Sequence, residues 1–138
     1  MKFPLRPLLI LLSSLTLTTP GRSDEVPVSV TRYEQVLVRR PEPGPAFDRV
    51  VAYFQTGPGT ESLKTRWAER FESAPNDAER AGWATLSGLL AEDAGDSVAA
   101  ERWFTLALGA APDQTRTRIA LGGLLANSGE FDEAIAIL

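Results

Sequence analysis

The chain has 138 residues, 43% of them apolar, which suits one folded domain and is too apolar for a disordered chain. It contains no histidine and no cysteine, so histidine-based triads, thiol nucleophiles and zinc sites are excluded. Acidic residues outnumber basic ones, 18 to 14, and the net charge of −4 argues against nonspecific nucleic-acid binding.

Residues 1–23 have the layout of a secretory signal peptide. Two basic residues precede an apolar core at 8–17, which is too short to span a bilayer comfortably. Cleavage after Gly21 and after Ser23 both fit the pattern, and an uncleaved membrane anchor stays open as an alternative. Removal of 1–23 takes away three basic residues and no acid, which changes the net charge from −4 to −7. We therefore expect an exported protein, periplasmic or secreted, that meets a membrane only through an uncleaved signal segment.

Residues 24–45 are predicted to form a leader, a short helix and a Pro-rich connector. Asp24–Ser29 shows no clear period and is predicted to be extended. Thr31 and Glu34 fit a capping box, in which the two side chains bind free backbone N–H groups at a helix start. Pro41 stops the helix because its ring cannot continue the hydrogen-bond ladder, and the three prolines that begin there make a stiff connector. The periodic residues of this helix are Tyr33, Val36, Leu37 and Arg40.

Residues 46–77 are predicted to form a helical hairpin. Thr60 is the expected cap of its second helix, and Pro75 is the expected end. Apolar side chains fall at i, i+3, i+4 and i+7 in the first helix and four residues apart in the second, as one buried face requires. These residues are Phe47, Val50, Val51 and Phe54, followed by Leu63, Trp67 and Phe71.

Two later stretches repeat each other at a constant offset of 34 residues. A fixed period of 20–50 residues marks stacked repeat units. Each unit is predicted to be two helices joined at a glycine turn. Asn76 or Asp77 would cap the first helix, Asp96 or Ser97 the second, and Asp113 the first helix of the next unit. The identical pairs are Gly88 and Gly122, Leu90 and Leu124, Gly95 and Gly129, and Ala100 and Ala134.

The two units resemble tetratricopeptide repeats, a family with a 34-residue helix–turn–helix period. Ala84 and Arg118 depart from the family pattern, since Trp is usual at both positions. Residues 46–77 are interpreted as a degenerate first repeat, 78–114 as a full repeat and 115–138 as an incomplete one. The residues that carry the resemblance are Gly88, Gly95, Ala100, Phe104, Ala107, Pro112, Leu121, Gly122, Gly129 and Ala134.

The resemblance implies an all-α fold, a right-handed superhelical stack of helix-turn-helix repeats (an α-solenoid), truncated at the C-terminus. Small residues such as Gly88 and Ala100 would let paired helices approach closely. Large ones, Trp103, Phe104 and Phe131, would fill the space between helices. Neighbouring units must stack because a lone unit cannot bury both of its faces.

The resemblance also implies a partner site, because members of this family bind peptides in a groove lined by the first helix of each repeat. Helical spacing puts each set of groove positions on one face, mixed apolar and polar, which suits a helix or an extended segment. No cofactor and no metal is implied. The groove positions are Thr85, Leu89 and Glu92 in one unit and Arg116, Ile119, Gly123 and Asn127 in the next.

Three further expectations concern side chains that could carry chemistry. Acidic residues near helix ends are expected to cap helices, although Glu92 and Asp93 keep open a carboxylate-based hydrolase. Trp67 and Trp103 are predicted to pack between helices, whereas Trp83 could lie exposed at the groove edge.

The sequence thus favours a noncatalytic protein–protein interaction scaffold of the cell envelope or periplasm that binds a protein or peptide. Residues 33–54 are similar to the lead-in of exported bacterial tetratricopeptide proteins of unassigned function, which supports this setting. The alternative is the N-terminal repeat segment of a longer chain with an enzymatic or anchoring domain. Ile135, Ile137 and Leu138 leave an apolar helix unfinished, which predicts either a fragment or self-association through that open helix.

Overall fold

The structure, a computed structural model, describes residues 25–138, which fold into seven α-helices without a strand. The predicted signal peptide lies outside the described residues. Within the described range, no helix is both long enough and apolar enough to cross a membrane. The helices are α1 (Val28–Arg39), α2 (Pro45–Thr56), α3 (Thr60–Glu72), α4 (Asp77–Asp93), α5 (Ser97–Ala110), α6 (Thr115–Asn127) and α7 (Phe131–Ile137).

Each helix packs against the next one along the chain, and α4 also packs against α1. Helices α1 to α4 therefore form a closed ring of four, and α5, α6 and α7 continue outward from α4. Buried apolar side chains from all seven helices join in one core, in which Leu63, Trp67 and Phe104 are fully buried. The all-α prediction is confirmed, and α4 is the most enclosed helix because residues 81–91 are all buried.

The 34-residue offset is also a structural repeat in the turns that follow α4 and α6. Gly95 and Gly129 adopt φ angles of 77° and 83°, in the left-handed region that favours glycine. The N–H of the next residue donates back to Ala91 O in the first turn and to Leu125 O in the second, each at 2.9 Å. This is the six-to-one hydrogen bond of a Schellman motif, so both helices end by the same mechanism.

The same offset recurs where the two helices of each pair approach. A Cβ added at Gly88 would lie 2.5 Å from the Phe104 ring, and one at Gly122 would lie 3.0 Å from the Leu138 side chain. Phe104 and Leu138 are themselves 34 residues apart. The prediction that small residues let paired helices approach closely is therefore confirmed at these positions.

The predicted start of the first helix is wrong, and its predicted buried face is right at Leu37 but wrong at Val36. Helix α1 begins at Val28, one turn before Thr31, and the Thr31 N–H already bonds to Pro27 O at 3.1 Å. Pro27 suits this place because a proline has no N–H to leave unpaired at a helix start. Glu34 is buried within the helix and Val36 is 61% exposed. The buried stripe is Val30, Glu34, Leu37 and Val38, so Leu37 of the predicted set is buried and Val36 is not.

The predicted caps are confirmed at two helices and wrong at two others. The side chains of Asn76 and Asp96 accept backbone N–H groups at 2.9 and 3.0 Å. Helix α3 instead starts after Gly59, whose φ of 102° makes the turn, so Thr60 is already helical. Helix α6 starts after Gln114, which leaves Asp113 outside the cap position.

The large side chains behave differently from one another. Trp67 is fully buried, as predicted, and the half-buried Trp103 meets the Phe71 ring edge-on at 5.5 Å. Trp83 is also buried, so it does not lie exposed at a groove edge. Phe131 is 64% exposed, which contradicts its predicted place between helices. It is the first residue of α7, before the point where Ala134 meets the core.

Candidate functional site

A pocket of about 400 Å³ lies between the Pro-rich connector, α4 and α6. Five of the seven predicted groove positions line it, whereas Gly123 and Asn127, both in α6, do not. We call it the connector pocket. The connector walls of the pocket were not foreseen, because the pattern of the repeats does not extend to them. Its lining residues are Pro41, Glu42, Pro43, Thr85, Leu89, Glu92, Arg116, Ile119 and Ala120.

Helices α4 and α6 are held together beside the pocket by buried hydroxyl groups. Thr85 Oγ1 and Thr117 Oγ1 lie 2.8 Å apart, and Thr117 Oγ1 donates to Gln114 Oε1 at 3.0 Å. The single hydroxyl proton of Thr85 is shared between Thr117 Oγ1 and Ala81 O, which is also 2.8 Å away. Buried polar groups of this kind rigidify a structure when they are satisfied. Thr85 therefore fixes the spacing of the two helices, and its hydroxyl is engaged within the protein.

The connector is attached to α6 by an ion pair between Glu42 and Arg116. Arg40 adds a second, longer contact to Glu42, with Nε and Oε1 3.6 Å apart. The Glu42 and Arg116 side chains are 43% and 44% exposed, so solvent screens their attraction. The pair positions the connector, and with Arg40 close by this end of the pocket has no excess negative charge.

The middle of the connector pocket is apolar. Leu89 is 7% exposed and forms part of its floor, whereas Ile119 is 58% exposed and presents its side chain to solvent. Ile119 and Ala120 follow Arg116 by three and four residues, the spacing that places residues on one helix face. This surface can bury an apolar side chain of a partner.

Glu92 lies at the other end of the pocket, in the last turn of α4. The helix rises about 1.5 Å per residue, which puts Glu92 about 10 Å along α4 from Thr85. Partial desolvation, the sole cause, raises the pKa of the Glu92 carboxyl above its ordinary value of 4.5. A negative charge near a helix C-terminus also opposes the helix dipole. The expectation that this acid complements a helix start is wrong; Asp96 does so.

Sequence reasoning missed the residue that anchors the helix before the connector. Glu34 is 1% exposed, and Arg66 binds its carboxylate with both Nε and Nη2, at 2.8 and 2.7 Å. Trp67 Nε1 donates to the same carboxylate at 2.9 Å. The hydrogen bonds that Arg66 donates to Glu34, together with the negative charge of that carboxylate, raise the pKa of Arg66. The available signal was the helical spacing of Glu34 with Val30 and Leu37, both of which are buried.

A second pocket, of about 360 Å³, lies between α3, α4 and α5 and contains none of the predicted groove residues. Two of its charged groups serve the fold: Lys64 pairs with Glu61 at 2.8 Å, and Asp96 caps α5. The connector pocket is therefore the stronger candidate, because it alone brings the predicted positions together.

The structure defines the class: an all-helical protein whose second half repeats one helix pair with the same turn and the same close contact. The chain matches no protein-family model, and no solved structure matches it. An alignment 111 residues long, which covers 77% of the chain, shows 33% identity to cellulose synthase operon protein C of Pseudomonas fluorescens (strain SBW25). The chain spans 9% of the length of that relative.

Proposed function

We propose that this protein is a noncatalytic scaffold of the tetratricopeptide type, which binds an extended segment of another protein in the connector pocket. The observation that carries the proposal is the meeting of five predicted groove residues in one pocket with an apolar middle and charged ends. Extended peptides bind sites of this composition through side-chain pockets. The right-handed superhelical path of the stack is part of the proposal.

We place the scaffold in the bacterial cell envelope or periplasm. The signal-peptide pattern of residues 1–23 supports this setting. The name of the relative ties that protein to a cellulose synthase operon, and cellulose is an extracellular polymer. Because the chain spans only 9% of the relative, a repeat segment of a longer chain stays the alternative.

The noncatalytic part of the proposal is supported by the charges in the pocket. A carboxylate-based hydrolase needs two acids of different pKa facing one bond. Among the described residues, the connector pocket is lined by two acids, Glu42 and Glu92, and Glu42 is paired with Arg116. Asp93, the other acid considered from the sequence, does not line this pocket.

Selection of peptides from a random heptapeptide phage library tests the scaffold proposal. Ile119→Arg places a charge in the pocket, and Val36→Arg places the same charge on an equally exposed apolar residue outside it; the wild-type residues are 58% and 61% exposed. We expect peptides selected on the wild type to bind the Val36→Arg variant and to lose binding to the Ile119→Arg variant. Failure to select any peptide, or equal binding to both variants, refutes the proposal.

A further inference from the structure

We propose that the connector pocket selects a segment in which a lysine or arginine stands next to an apolar side chain, with Glu92 as the partner of the cation. The inference rests on the proposed function and deepens it. Leu89 and Ile119 hold the apolar side chain, and the cation lies at the C-terminal end of α4.

The charge of the connector pocket is complementary to that of a cationic segment. The connector pocket is lined by three charged residues, and two of them, Glu42 and Arg116, neutralise each other. Glu92 takes part in none of the ion pairs of the described residues, so one negative charge is left uncompensated. Charged groups that are complementary across an interface give specificity for the partner. A cationic side chain supplies the missing charge, and an anionic one would be repelled.

The negative charge of Glu92 is unfavourable in the protein without a bound partner. The last turn of a helix carries partial negative charge, which a cation complements and an anion does not. The Glu92 side chain is exposed, but partial desolvation of its carboxyl raises the pKa and adds to this cost. Residues that weaken the fold locally are retained where function requires them. A bound cation would be attracted by the Glu92 carboxylate and by the helix end together.

The spacing of the pocket residues along α4 also matches such a segment. The distance of about 10 Å between the levels of Thr85 and Glu92 on α4 accommodates about three residues of an extended chain, at about 3.3 Å each. Leu89 precedes Glu92 by three residues, one helical turn, so the apolar floor and the carboxylate are adjacent on one face. A neighbouring apolar and cationic pair of side chains therefore matches the pocket.

NMR titration of the purified protein with three capped tetrapeptides tests this inference. The peptides are acetyl-Ala-Leu-Lys-Ala-amide and the versions with Gln or Glu in place of Lys. We expect the Lys peptide to bind roughly two- to fivefold more tightly than the Gln peptide, the range of an exposed ion pair. The Glu peptide should bind most weakly. Shifts should map to Leu89 and Ile119.

Glu92→Gln should abolish the preference for Lys over Gln. Asp93→Asn is the matched control, since Asp93 is exposed, lies next to Glu92 and does not line the pocket; it should keep the preference. Equal binding of the Lys and Gln peptides by the wild type, or a preference that survives Glu92→Gln, overturns the inference and leaves the scaffold proposal standing. Absence of binding by every peptide, together with failure of the phage selection, overturns both.

Discussion

Replacement of Glu34 by alanine should destabilise the protein by about 3 kcal/mol. Removal of one partner of a buried ion pair costs about 3–5 kcal/mol, because the other charge is left without compensation. Arg66 keeps 22% of its side chain exposed and can recover some hydration, which lowers the cost. The Trp67 Nε1–H has no such recourse, and an unsatisfied buried donor adds about 1–3 kcal/mol. The expected loss of stability on Glu34→Ala therefore lies near the lower end of the range for a buried ion pair.

Urea unfolding followed by circular dichroism measures this loss as a shift in midpoint at constant slope. Glu34→Gln keeps an oxygen that can accept from the Trp67 indole and removes only the charge, so it should lower the stability less than Glu34→Ala does. The matched control is Glu61→Ala, because Glu61 also accepts from a cation at 2.8 Å but has 86% of its side chain exposed. That change should cost less than about 1 kcal/mol. If Glu34→Ala and Glu61→Ala shift the midpoint equally, the buried pair does not anchor α1 as argued.

Three further predictions concern the repeat contact, the pocket and a helix cap. Gly88→Ala should lower the free energy of unfolding by about 1–3 kcal/mol, because the new methyl group would collide with the Phe104 ring. Gly123 has open space around it, so Gly123→Ala should raise the free energy of unfolding by about 0.5–1 kcal/mol. The same urea experiment measures both changes. Glu92→Gln should be more stable than the wild type at neutral pH. The raised pKa means that the folded state holds the Glu92 carboxyl proton more tightly than the unfolded state does. Wild-type stability therefore falls as the pH rises from 4.5 through the raised pKa of the folded protein. Below pH 4.5 the thermal melts of the two proteins should converge. Asn76→Ala should cost about 1 kcal/mol and shift the thermal midpoint, because it removes the side-chain acceptor at the start of α4; an unchanged melt would contradict its role as a cap.

The repeat part of the fold could be predicted because its signals are local. Asn76 caps α4 and Asp96 caps α5 through hydrogen bonds that span three residues, and such bonds can be predicted from the sequence. The role of Glu34 was not readable, because its partners Arg66 and Trp67 are 32 and 33 residues away. The sequence therefore predicted a local cap at a place where the fold has a long-range contact. The predicted cap at Asp113 is wrong for a different reason: the next residue, Gln114, takes the cap position, and its side chain bonds to Thr117.

The pocket was half predictable, and the missing half comes from the part of the chain without a repeat. Its α4 and α6 walls follow from the 34-residue pattern. The connector wall depends on α1, which packs against α4 so closely that a Cβ at Gly82 would collide with the Val38 carbonyl. The Glu34 ion pair fixes α1 from its other neighbour, α3. These contacts place Glu42 where Arg116 can bind it, so the helix before the repeats determines the shape of the site. A change that loosens α1 should therefore weaken ligand binding even though every α4 and α6 residue of the pocket is intact.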